Sequence, residues 1–260
     1  MTQTNRPAAR PIAARSRPAQ QLGAFVKELL FVVVGAIIVS SLLRAFVGQM
    51  FIIPSQSMEN TLLVGDRVVV EKITGFQRGD VVVFADPGEW LAGEEVPERG
   101  PIGKALEFIG VLPDTSTEHL IKRVVGMPGD RVVCCDSKGR ISVNGYPLDE
   151  AGYLYSSPDG EKMSPSDVRF EVVVPRDRIF VMGDHRSLSA DSRCHLADLS
   201  QPRGKVAFVP IKLVVGPAVA IAAPFSRTTI LHRPAVFGGV PAAKNPAPAE
   251  AVIKPEGVSC

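Results

Sequence analysis

The sequence predicts a mainly β protein with one N-terminal transmembrane helix and a smaller subdomain inserted into its β-rich part. Three observations point there. The run Leu29 to Leu43 carries no charge. Beyond it, Gly65-Asp66, Gly79-Asp80 and Gly129-Asp130 each precede a short Val-containing run, the pattern of turns that feed strands. Asn144-Gly145 follows Ile141-Ser142-Val143, which is a hairpin signal.

The elements follow in order. Residues 1–21 are rich in Arg, Pro, Ala and Gln and are expected to form a disordered cytoplasmic tail. Residues 22–48 are expected to be the anchor. Leu29–Leu43, with Phe25, Val26 and 45–47 added, approaches the ~20 residues that cross a bilayer. Lys27, Glu28 and Arg44 sit near its ends, where long side chains reach the interface. Arg6, Arg10, Arg15, Arg17 and Lys27 precede the run against the single acid Glu28, which places the N-terminus inside. A cleaved leader would need small residues soon after the run, and 44–49 supply a poor site.

Residues 49–236 are expected to form an extracytoplasmic β-rich domain. Its strands are read at Arg67–Glu71, Val81–Phe84, Arg131–Val133, Ile141–Tyr146, Phe170–Val174, Ile179–Met182, Val206–Val209 and Leu213–Ala222. The last is too short to span and contains Pro217, so it reads as a core strand. Elaborations are expected at about 86–118, with a short helix over Ala105–Leu112, and at 131–178. The Ala- and Pro-rich stretch 237–260 reads as disordered.

Composition bounds the function. The chain of 260 residues is 45% hydrophobic and 22% charged, ordinary for a folded protein. A net charge of +2, with no basic–aromatic interleaving, argues against a nucleic-acid partner. The cysteines are Cys134, Cys135, Cys194 and Cys260. Their spacings do not fit a zinc site, and none is expected. Strand neighbours Cys134 and Cys135 face apart and are not expected to pair. In an oxidising compartment Cys194 could pair with Cys134 or Cys135.

Three stretches carry chemistry. The first is Pro54-Ser55-Gln56-Ser57-Met58, just past the anchor. If extended, it puts Ser55 and Ser57 on one side. One hydroxyl could then attack while the other steadies the developing oxyanion. The second is Lys122-Arg123-Val124-Val125-Gly126-Met127-Pro128-Gly129-Asp130, and the third runs from Gly183-Asp184-His185 to Asp191-Ser192-Arg193.

A serine nucleophile needs a base. A triad of Ser57, His185 and Asp184 is conceivable, but adjacent residues on an extended segment face apart, so Asp184 is badly placed to orient His185. Lys122 lies in an apolar run. To serve at neutral pH it must lose roughly 3 pH units from its ordinary pKa, about 4 kcal/mol. Burial can do that, whereas a nearby carboxylate would oppose it. None is therefore expected beside Lys122.

Taken together, the three stretches resemble the bacterial type I signal peptidases, membrane-anchored serine proteases that use a Ser–Lys dyad. The resemblance runs from about Leu29 to Pro224. It implies Ser57 as nucleophile and Lys122 as base. It implies Ser55 and the Ser57 N–H as oxyanion donors, Ser189 as the hydroxyl that orients the lysine, and Asp191 and Arg193 as structural braces. Phe51, Ile53, Leu62 and Ile121 match positions that line a cleft for small side chains. The substrates implied are secretory preproteins cut after Ala-x-Ala-like ends, beside membrane lipid, with no cofactor. The sequence does not give an oligomeric state. Two departures stand out: Asn60 replaces a usual proline, and His185 a usual asparagine. A non-catalytic anchored β-domain is the alternative, yet this chain retains both dyad positions. A self-cleaving Ser–Lys repressor would carry a DNA-binding region where this chain has an anchor.

Overall fold

The computed structural model describes residues 17–46, 48–88, 90–91, 100–103, 119–198, 204–254 and 260. The expected helix at Ala105–Leu112 and most of the 86–118 elaboration lie outside these residues. Helix α1 (Arg17–Phe46) begins earlier than the expected residue 22. Its stretch Leu22–Leu42 is 21 residues long, apolar, and unburied by the rest of the chain. That length is what a bilayer's hydrocarbon requires.

The mainly β expectation holds. After α1 come β1 (Gly48–Ile52), β2 (Arg67–Glu71), β3 (Val81–Ala85), β4 (His119–Gly126), β5 (Arg131–Cys134), β6 (Ile141–Val143) and β7 (Tyr146–Pro147). Then follow β8 (Phe170–Val173), β9 (Arg178–Met182), β10 (Val209–Pro210), β11 (Val214–Ala223), β12 (Thr229–Ile230) and β13 (Val252–Lys254). Eight strands form one antiparallel sheet in the order β1-β2-β11-β3-β4-β9-β10, with β12 on β11. The other five form a second sheet, β13-β8-β5-β6-β7, four of whose strands fall within 131–178.

The Gly-Asp pairs do what their chemistry suggests. Gly65, Gly79 and Gly129 have φ of 88°, 89° and 86°, a region open to glycine and strained for other residues. The following aspartate then turns its carboxylate back onto the N–H three residues earlier: Leu63 to Asp66 at 2.9 Å, Gln77 to Asp80 at 2.7 Å and Met127 to Asp130 at 2.8 Å. Two of these carboxylates are also fixed from outside, Asp66 by Arg227 and Asp130 by Arg78. The Asn144-Gly145 hairpin forms as read, with β6 pairing β7.

Apolar packing follows the sheets. One cluster gathers Phe51, Ile53, Met58, Leu62 and Ile121 with Val68, Val70 and Ile221. A second gathers Val82, Phe84, Trp90 and Val124. A third fills the space between the second sheet and β9 with Val132, Phe170, Phe180, Phe208 and Phe237.

Several expectations need correction. The strand expected at Val206–Val209 is a 3-10 turn, Lys205–Ala207, followed by the two-residue β10. The stretch 237–260 was expected to be disordered, but its described part is packed. Phe237 is buried beside Tyr153, and β13 pairs with β8. The Ala/Pro bias concealed a strap whose few apolar residues reach the core while its backbone bonds outward. Cys194 bonds Cys260, not Cys134 or Cys135, and those two are bonded to each other. Nothing local to either residue links Cys260 to the turn that holds Cys194.

Candidate active site

Lys122 lies in β4, hydrogen-bonded on one edge to β3 and on the other to β9. All of β4 beyond His119 is buried. The apolar neighbours Ile121, Val124 and Val125 that make this a strand also bury Lys122, which is 4% exposed. Lys122 and Arg123 are therefore not a pair of surface charges.

Ser57 comes from the tip of the hairpin β1–β2. The hairpin closes where Ile53 N–H donates to Asp66 O and Gly65 N–H to Ile53 O, both at 2.9 Å. Within it, Gln56–Met58 is a 3-10 turn, so the extended run expected for Ser55–Ser57 is replaced by a turn starting at Ser55. Proximity survives the change: Ser55 Oγ donates to Ser57 Oγ at 3.3 Å.

The side chains then meet. Lys122 Nζ and Ser57 Oγ are 2.6 Å apart in a buried setting. Burial lowers the Lys122 pKa from the ordinary 10.5 to about 8, against an upward pull from Asp191 and then Asp184. The expectation of no nearby carboxylate is thus corrected, since two are close enough to act on the amine. Each is held by an arginine. Arg123 donates to Asp184 from Nε at 2.8 Å and from Nη2 at 2.5 Å. Arg193 donates to Asp191 from Nε and Nη2, both at 2.9 Å. Burial disfavours the Asp191 charge, but Arg193 and the bonds from Arg193, Gly183 N–H and Ser189 outweigh it, so its pKa lies below the usual carboxylate range.

The third stretch forms the opposite wall. His185 N–H donates to Ser57 O at 3.1 Å. A Cβ on Gly183 would overlap Ser189 Oγ and the Ser57 carbonyl, so this approach requires glycine. Ser189 was expected to orient the lysine. It is buried here, but its hydroxyl donates to Asp191 Oδ2 at 2.8 Å; it steadies a carboxylate that Lys122 feels. Asp191 and Arg193 pair with each other, and Arg193 Nη2 also donates to Arg186 O at 2.7 Å.

The histidine triad has no support in this geometry. The Asp184 carboxylate accepts from Arg123 and Thr61, while the His185 ring stacks on Tyr155 and turns Nδ1 toward Glu59 at 3.4 Å. Of the four expected cleft residues, Ile53 and Leu62 are closed in at 1% and 0% exposure, whereas Phe51 and Ile121 reach solvent slightly at 7% and 6%. At the departure Asn60, Nδ2 donates to Leu154 O at 3.2 Å and ties the turn that carries Ser57 to the neighbouring excursion. Sequence reasoning missed Arg123, Asp184 and Thr61 as a unit. The only signal was that Arg123 neighbours Lys122 in a run too apolar for two charges. Among the described residues no cluster of His, Cys, Asp and Glu could hold a metal.

Ser57 Oγ thus lies within hydrogen-bond distance of a buried lysine of lowered pKa, and residues 26–223 match the model of the family described as signal peptidase, peptidase S26. The chain belongs to the signal peptidase family S26. As a member it is a serine endopeptidase. It is 35% identical over 236 residues to signal peptidase I of Mycobacterium tuberculosis, covering 83% of this chain and 78% of that one. It is 32% identical over 232 residues to signal peptidase I of Leptolyngbya laminosa, covering 88% and 93%. A solved signal peptidase I from Enterococcus faecalis overlaps 56% of this chain and 97% of its own, at 21% identity and a TM-score of 0.33, a likeness too slight to carry the fold.

The arginine pairing has a stability consequence. Arg123→Met leaves the Asp184 carboxylate buried without its partner, and removing one member of such a pair costs about 3–5 kcal/mol. Thermal unfolding in detergent should show a clearly lowered transition for Arg123→Met. An unchanged transition would mean the pair is not what holds Asp184.

Proposed function

We propose that this chain is a signal peptidase I that removes signal peptides from exported preproteins at the outer face of the cytoplasmic membrane, using Ser57 and Lys122 as a dyad. The observation that carries the proposal is the 2.6 Å approach of Ser57 Oγ to a buried lysine whose pKa is lowered to about 8.

In this reading the neutral Lys122 amine accepts the Ser57 proton as Oγ attacks the scissile carbonyl. The carbonyl oxygen becomes an anion, met by the Ser57 N–H and the Ser55 hydroxyl. The Lys122 ammonium then gives its proton to the departing amine, leaving an ester on Ser57. Lys122, neutral again, takes a proton from water as it attacks that ester, which frees the signal peptide's carboxylate and restores the serine. The sequence Ser57–Lys122 alone supplies both proton transfers, so a histidine has no step to perform.

Phe51 and Ile121, the partly accessible members of the apolar cluster beside Ser57, are the residues proposed to limit side chains near the cut to small ones. A larger side chain would clash with them. Ile53 and Leu62 stand behind and set the pocket's depth. Helix α1 anchors the domain, with its basic N-terminal flank inside and the residues after Gln49 outside.

Two outcomes are expected. In cleavage of one preprotein, Lys122→Ala should lose activity as fully as Ser57→Ala, on the order of 10²–10⁴ or more. Lys122→Arg should give no rescue, because guanidinium stays protonated. His185→Ala and His195→Ala should keep most activity, Ser189→Ala should be intermediate, and the wild-type rate should rise with pH through about 8 as Lys122 loses its proton. Full activity in Lys122→Ala would sink the dyad. For topology, protease added to intact spheroplasts should digest the β-rich domain, and complete protection would overturn the outward placement.

A further inference from the structure

The family match stops at residue 223, yet the described residues after it are bound to the rest at several points. Phe237 and Val240 pack into the third apolar cluster. Pro241 O accepts from Asn144 Nδ2 at 2.9 Å, and Pro248 O from Arg176 N–H at 2.8 Å. Strand β13 then adds an edge to the second sheet beside β8. Finally Cys260 is bonded to Cys194, 66 residues earlier in the chain.

The two last attachments converge on one corner. Ile253 of β13 packs against Gly204, which opens the 3-10 turn Lys205–Ala207. That turn packs on the turn Ser192–His195. Cys194 lies inside the latter turn, next to Arg193 and three residues from Asp191, and its N–H donates to Asp191 O at 2.9 Å. Its sulfur touches Ser189 O at 3.6 Å. So the residue gripped by the bridge is part of the segment that fixes Ser189, Asp191 and Arg193. That segment has only short 3-10 turns of its own, which leave many backbone groups to be held from outside.

We propose that residues 237–254 together with Cys260 act as a positioning strap, and that the Cys194–Cys260 bridge holds the Ser189–Arg193 segment in its working place beside Lys122. This rests on the Ser–Lys reading above. Cys260 and Cys194 touch no reacting atom; they act through Asp191 and Ser189. A misplacement of about 1 Å can cost up to ~10²-fold in rate, so a modest loosening is enough to be read. Cys260 is exposed and Cys194 half-buried, which leaves the bridge open to thiol exchange. A dithiol reductant converts it to two thiols and is itself oxidised to a cyclic disulfide, with no other reactant.

The test uses the full-length protein in detergent, cleaving one preprotein, with kcat and KM measured separately. Treatment of the folded wild type with dithiothreitol should lower kcat about tenfold and leave KM within about twofold. Thiol counting should confirm that the bridge has opened. Cys194→Ser, Cys260→Ser and the double variant should show the same loss as one another, not a sum, and none should lose more on reduction. Unchanged kcat in the reduced wild type or the double variant would overturn the strap's role. A further loss on reduction of the double variant, as large as in the wild type, would overturn it too by assigning the effect to Cys134–Cys135. Loss of the thermal unfolding transition on reduction would replace positioning with simple structural support. Cleavage by the oxidised wild type, and its absence in Ser57→Ala, tests the dyad on its own, so failure of the strap and failure of the dyad are read in different samples.

Discussion

The pairing of Asp184 with Arg123 and of Asp191 with Arg193 is the interaction on which this site depends. A lysine can be neutral near pH 8 only where burial outweighs every nearby negative charge. Lys122 is buried, but two fully buried carboxylates are close enough to pull its pKa upward. Both are needed: Asp184 anchors the loop after β9, and Asp191 collects Gly183 N–H, Ser189 and Arg193. The solution is to commit each carboxylate to a planar, permanently charged guanidinium that meets both of its oxygens. Each carboxylate keeps its hydrogen bonds, and the guanidinium beside it opposes its upward pull on Lys122. Arg123 does this from the residue next to Lys122, because strand alternation sends the two side chains to opposite sides of β4.

The fold serves that arrangement. Lys122 gains its burial from the centre of a sheet, where β3 and β9 occupy both edges of β4. Ser57 gains its position from a hairpin tip pinned at Ile53 and Asp66, and Asp66 is itself held by Arg227 near the end of β11. The loop after β9 closes the site through the Gly183 approach and the bond from His185 N–H to Ser57 O. These three segments are far apart in sequence and are brought together by the large sheet.

Much of this was legible in the residues. The anchor showed as a charge-free run, and the strands after each Gly-Asp pair showed through turn chemistry that proved nearly identical at Asp66, Asp80 and Asp130. Ser57 and Lys122 were legible from motif and resemblance. What the sequence hid was pairing between distant residues. Nothing local links Arg123 to Asp184, or Cys194 to Cys260. Composition misled at 237–260, because Ala and Pro suggest disorder while Phe237, Val240 and Ile253 supply the few apolar contacts that order needs. The short 3-10 turn at Ser57 also escaped notice, since three residues carry too little pattern to be told from an extended run.

The surroundings of Lys122 lower its pKa to about 8, so that far more of the amine is neutral near that pH than in an ordinary lysine. NMR of the lysine side chains, with the Lys122 signal assigned by its absence in Lys122→Met, tests this without relying on catalysis. That signal should titrate with a midpoint near 8. A midpoint at or above the ordinary 10.5 would show that the neighbouring carboxylates, not burial, govern the amine, and would contradict that expectation.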